Sequence, residues 1–172
     1  MKGFSLIEII IASCIFIILI LAIFQTMDIG RSLWFTADVS TELRQEIIKA
    51  FTIMERELKE TRPSQTSLQI SSNSNTLTFR MPQDNNGDGT ILDVNGNIEW
   101  SANITYARNG ANQITRTDAL GTTILANNIT NLLFTRPTSP TNIMQIDITA
   151  NKTTNLRRQV QDTGWLQIEM RN

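Results

Sequence analysis

The chain contains no histidine. Neutral-pH catalysis therefore loses its commonest general base, and metal binding its commonest ligand. There is one cysteine, Cys14, so no internal disulfide can form and any folded part is held by packing. A single thiol leaves the redox compartment open. Proline is sparse, with four in all and none before Pro63. An excess of either charge is missing too: 15 Lys and Arg face 16 Asp and Glu. No nucleic-acid surface is expected from that balance. No serine stands in a recognisable nucleophile setting, and the only thiol lies in an apolar run. With histidine also missing, no enzymatic activity is expected.

What the chain does have is unevenly placed. Its 172 residues suit one domain, or one domain with an appendage. From Ile9 to Phe24 there is no charge, and Ser13 is the only polar side chain. Phe4 to Phe24 would make a helix of about 31 Å, against a bilayer core of about 30 Å. A cleaved secretory signal would have a shorter apolar region and a small-residue cleavage site. "IASC" (Ile11 to Cys14) loosely has the look of a lipoprotein signal, but mostly apolar sequence continues beyond Cys14. A plain anchor accounts for the length and not for Glu8, since a carboxylate costs about 2.5–3.5 kcal/mol at the centre of a membrane helix and less near its end.

The stretch "GFSLIE" (Gly3 to Glu8) resembles the cleavage and methylation signal of type IV pilins and type II secretion pseudopilins. The resemblance implies a basic leader, Met1-Lys2-Gly3, cut by a prepilin peptidase after Gly3. It implies that the new N-terminal Phe4 is N-methylated, and that the apolar helix is kept. It implies that Glu8 directs assembly by pairing with the Phe4 amine of a neighbouring subunit. The physics agrees: each charge is costly alone in apolar surroundings, and pairing partly offsets both costs. Glu8 could equally snorkel to the headgroups or sit by the positive end of the helix.

Beyond Phe24 the helical period persists. Val39, Leu43, Ile47, Phe51, Met54 and Leu58 fall on one stripe, with most charges off it. Glu55–Lys59 and Arg56–Glu60 are i,i+4 pairs of opposite sign. Pro63 is expected to end the helix, and Gly30 is its weakest point, where a bend or fray is expected. After Pro63 the period becomes two. Strands are expected at Leu77 to Met81, Ile98 to Ala107, Ile143 to Ile148 and Leu166 to Met170. Weaker ones are expected at Ser67 to Ser71, Gln113 to Arg116 and Ile129 to Thr135. Asn109-Gly110 reads as a hairpin turn, and Arg136 to Thr141 as a loop.

The expected fold is α+β: a long N-terminal helix packed on an antiparallel β-sheet, as in pilins. It divides into a leader (1–3), a membrane and assembly helix (4–24), an amphipathic helix (25–62) and a β-rich domain (63–172). Within the family, "TELRQEIIKAFTIMERELKET" (Thr41 to Thr61), "ILANNITNLLF" (Ile124 to Phe134) and the "LQIEMRN" terminus look most like J-type minor pseudopilins and PilW-type minor pilins. The C-terminal cysteine pair of many major pilins is missing.

"DNNGDGTILDVN" (Asp84 to Asn95) could carry separate chemistry. Asp84, Asn86 and Asp88 have the 1-3-5 spacing of a calcium loop, Gly89 is at its sixth position and Ile91 at its eighth. The twelfth position holds Asn95 where a bidentate Glu belongs, and Asp93 could substitute. Asn, Gly and Asp also favour a polar turn with no metal. No other cofactor is expected.

The resemblance implies a structural minor subunit of a secretion pseudopilus or type IV pilus, in its tip or initiation complex. Its partners would be other pilin-like subunits, the prepilin peptidase and inner-membrane lipid. Before assembly it would be a single-pass protein of the bacterial inner membrane, with the C-terminal domain in the periplasm. The alternative is a bitopic membrane protein whose outer β-domain binds a ligand or surface.

Overall fold

The computed structural model describes residues 6–171. One helix, α1 (Leu6–Glu60), runs unbroken for 55 residues, about 82 Å. It is continuous through Gly30, so the expected fray is not there. An added Cβ at Gly30 would meet nothing within 4 Å, so no close packing forces the chain off axis. The helix stops where Pro63 follows. The Thr61 amide then tightens the last turn by donating to the Leu58 carbonyl.

Eight strands follow in two four-stranded antiparallel sheets. One sheet has the order β1 (Ser72–Ser74), β6 (Ile129–Arg136), β7 (Ile143–Thr153), β8 (Gln159–Glu169). The other has β2 (Thr76–Phe79), β3 (Ile104–Arg108), β4 (Ile114–Asp118), β5 (Gly121–Ala126). The chain changes sheets at Asn75 and again at Asn127-Asn128, where Asn128 takes a left-handed φ of 61°. Both changes sit at short polar steps, which the alternation of apolar residues does not reveal.

The helical stripe behaves as its period requires. Leu43, Ile47, Met54 and Leu58 are buried, and Val39 and Phe51 pack against them. They meet inward residues of both sheets, among them Leu77, Phe79, Tyr106, Leu132, Phe134, Ile146 and Ile168. Each such side chain contributes about 1.5–3 kcal/mol by leaving water. Lys59 and Glu55 form the expected i,i+4 pair at 2.7 Å.

Several strand limits differ from expectation. Ser67 to Ser71 is not a strand: Ser71 has φ 59°, and the β1 ladder begins at Ser72. Ile98 to Ala107 pairs as a ladder only from Ile104. Upstream, Trp100 meets Pro82 in an isolated bridge, and Pro82 has no N–H with which to extend it. β5 has no counterpart among the expected strands. The turn after β3 is five residues, not two. Asn109 accepts from the Ala111 and Gln113 amides, and Asn112, not Gly110, takes the left-handed conformation.

β7 and β8 form a hairpin of eleven paired positions that lies along α1. The Arg171 amide donates to the Thr61 carbonyl, and Arg44 meets Asp162 at 3.4 Å. Gly164 sits over Ile47 and Phe51. Lys152 meets Glu42 at 2.6 Å. From Arg171 back to Arg158 the strand covers about 43 Å. From Thr61 back to Ser32 the helix covers about the same length. The two elements therefore stay side by side, and the hairpin tip arrives at the helix near Ser32.

Candidate functional site

The first half of α1 is the outstanding surface of the molecule. Leu6 to Phe24 make an apolar cylinder on which no other described element packs: every large side chain except Ile20 is exposed. It is long and apolar enough to cross a membrane. Glu8 interrupts it. Glu8, Ile9, Ala12, Ser13 and Phe16 line one shallow groove on the helix surface. The small residues Ala12 and Ser13 make the depression, and the Ser13 hydroxyl is satisfied by donating to the Ile9 carbonyl at 2.8 Å. One ionisable group therefore stands in an otherwise greasy recess. Gly3 and Phe4, the expected cleavage and methylation positions, lie outside the described residues.

A second polar cluster lies inside the β domain. The Glu57 carboxylate comes from the buried side of α1. It accepts from Arg116 Nε on β4 at 3.0 and 3.1 Å, and from the Tyr106 hydroxyl on β3. Arg116 also pairs with Asp118. Burial, then the Glu57 hydrogen bond and charge, push the Tyr106 phenol far above its ordinary range. Burial works against the Arg116 charge, but its bonds to Asp118 and Glu57 outweigh that and raise its affinity for the proton. The Arg116 hydrogen bond holds the half-buried Asp118 carboxyl below its usual range. Every acidic oxygen that faces inward has a donor, so the cluster clamps helix to sheet. No sequence pattern singles it out. The available signal is Glu57 itself, three residues after Met54 and next to Leu58 on the buried stripe.

Tyr106 is the only tyrosine in the chain, so its ionisation can be read without interference. In the unfolded chain a phenol releases its proton near pH 10. In the folded protein it keeps it. Below that pH the group adds its full share of stability. Above it the unfolded chain binds fewer protons than the folded one, and stability falls as pH rises. The expected result is that tyrosinate absorbance appears only together with unfolding. Tyr106→Phe should flatten the alkaline fall in stability. Tyrosinate appearing near pH 10 in a protein that is still folded would contradict the clamp.

The loop between β2 and β3 holds the residues expected to bind calcium. Asp84 accepts from the Gly87 and Gly89 amides at 2.7 and 2.8 Å. Asp88 accepts from the Thr90 amide and hydroxyl, which, with Asn86, hold its carboxyl below the ordinary value. Asn86 bonds both Asp88 and Glu99, and Glu99 also takes the Asn85 amide. Glu99 is thus the acidic side chain that the fold brings to Asn86. Asp93 is occupied in its own turn, accepting from the Asn95 and Asn97 amides, and its carboxyl is lowered by those to Asn97 first. Among the described residues no three acidic, cysteine or histidine side chains converge as a metal cluster would. The oxygens this loop could offer a hard cation are those of Asp84, Asn86, Asp88 and Glu99.

Arg136 is a further residue that periodicity does not reveal. It is only 8% exposed. It donates to the carbonyls of Thr141, Pro63 and Leu68 at 3.0–3.1 Å. It thereby ties the segment after α1 to the loop between β6 and β7. No family model matches the chain, and neither does any curated protein or solved structure.

Proposed function

We propose that this chain is a structural, non-catalytic minor subunit of a type II secretion pseudopilus or a type IV pilus. In this reading it is held in the bacterial inner membrane until assembly, with the β domain in the periplasm, and it works in the tip or initiation complex. The observation that carries the reading is the contrast within one helix. The second half of α1 is packed into a core, while the first half is apolar, unbroken and bare of packing. Such a surface is stable in lipid before assembly and against like helices after it. The "GFSLIE" stretch at its head adds the processing signal.

The test joins processing to assembly. Mass spectrometry of the protein from native filaments should find an N-methylated Phe4, and Gly3→Val should block that maturation. Glu8→Leu should be cleaved and inserted normally, since it removes a polar cost. It should fail to co-purify with the other subunits, because a neighbouring Phe4 amine would lose its counter-charge in apolar surroundings. An intact Met1 in assembled material would overturn the reading. Normal assembly by Glu8→Leu, with the Gly3–Phe4 bond uncut, would leave the bitopic binding protein in its place.

A further inference from the structure

The tip of the β7–β8 hairpin has features that the core does not require. Thr154 is buried and closes the turn: its amide donates to the Arg158 carbonyl and its hydroxyl accepts from the Arg158 amide. The turn thus presents Asn155, Leu156, Arg157 and Arg158 outward, all exposed. Arg157 takes a left-handed φ of 58°, a conformation that costs non-glycine residues and that Asn155, two positions earlier, would have tolerated better. Leu156 is 49% exposed. No acidic side chain is paired with either arginine among the described residues.

This tip arrives where the apolar run ends. Leu156 and Arg158 line a cleft with Gln25, Asp28 and Ser32 of α1. The run without charge extends from Ile9 to Met27, about 28 Å of helix. With Met27 at the edge of the hydrocarbon, the headgroup layer over roughly the next 5–8 Å covers residues 28–32 of α1. Leu33 and Trp34 beside the cleft are exposed, Trp34 to 77%.

Ser32 supplies an independent sign. It is 7% exposed, and its hydroxyl has no partner. Ser13, Thr26, Thr36, Thr41 and Thr52 all return their hydroxyls to the carbonyl four residues back. Ser32 lines the cleft instead. A buried donor left unmade costs free energy, so an acceptor at this place would be bound. Asp28 and Arg158 are the charged residues lining the cleft, and Arg157, exposed next to Arg158 in the turn, adds a second cation to the tip.

We infer that the β7–β8 tip is a second membrane contact, in which Arg157, Arg158 and Ser32 receive the phosphate of an anionic phospholipid and Leu156 dips into the interface. The inference rests on α1 spanning the membrane, and not on filament assembly. It makes the hairpin a strut from the β domain down to the bilayer, fixing the domain's rotation about the helix before assembly.

The experiment places the full chain in nanodiscs of phosphatidylcholine, with or without phosphatidylglycerol, and follows amide exchange at 155–158. Exchange should be about thirty-fold slower with the anionic lipid, the order that two arginines near such a surface supply. High salt should remove the difference. So should Arg157→Gln with Arg158→Gln, while Ser32→Ala should reduce it without changing net charge. Equal exchange in both lipids would overturn the inference. So would protection that follows the protein-to-lipid ratio instead of lipid charge, which would assign the tip to a second copy. A chain that does not float with lipid at all would overturn the membrane-spanning reading as well.

Discussion

Glu57→Ala is expected to destabilise the β domain more than any other single substitution considered for this chain, by about 3–5 kcal/mol. The carboxylate is the hub of the inner clamp, with side-chain exposures of 9% for Glu57 and 18% for Arg116. Removing it leaves the Arg116 charge half-supported by Asp118, and leaves the buried Tyr106 hydroxyl without its acceptor. The cost comes from those stranded partners more than from the lost attraction, because a buried pair gains little over well-packed apolar residues. The double substitution Glu57→Leu with Arg116→Met should therefore recover much of the loss. Denaturant titration of the full chain in detergent measures both. If Glu57→Ala costs under about 1 kcal/mol, the usual net value of one hydrogen bond, the clamp carries little of the fold.

Gly164→Val is expected to cost about 1–3 kcal/mol or more by overpacking. A Cβ added to Gly164 would stand 2.8 Å from Ile47 Cγ2 and 2.9 Å from Phe51 Cε2. Both neighbours are on α1, and Ile47 is buried in the core. The glycine is there for space, since its φ is not in the left-handed region. Valine adds two further carbons to that collision, so the hairpin must lift from the helix. Chemical denaturation should show the loss. Ile47→Ala made in the same chain should return part of it by opening room. Unchanged stability in Gly164→Val would mean that hairpin and helix are not held in contact at this point.

The apolar stripe of α1, the alternation of β6 and the apolar parts of β7 and β8 (143–148 and 166–169) were legible because each has a buried face, whereas the more polar stretches of that hairpin, 149–153 and 159–165, were not. The insertion between β2 and β3 was legible as a polar turn, but its internal hydrogen bonding was not. Its Asp, Asn and Gly residues satisfy their own amides, and turns closed in that way leave no periodic trace. The division into two sheets was equally hidden, since it depends on Asn75 and on Asn127-Asn128, residues that read as ordinary turn formers. At the candidate site, Glu8 stood out by contrast with its apolar neighbours. Glu57 did not, because an acidic residue in a charged helical segment looks solvated until its partners from β3 and β4 are known.

The side-by-side run of hairpin and helix has a mechanical consequence. A pull on the membrane end of α1 acts along the length of β8, not across it. The eleven paired positions of β7 and β8 would then be loaded in shear, all together, and would not open one at a time like a zipper. With no proline hinge in the helix and no disulfide in the chain, the domain would behave under tension as a stiff rod glued lengthwise to a brace. It would hold its shape up to a high threshold force and then yield in one step.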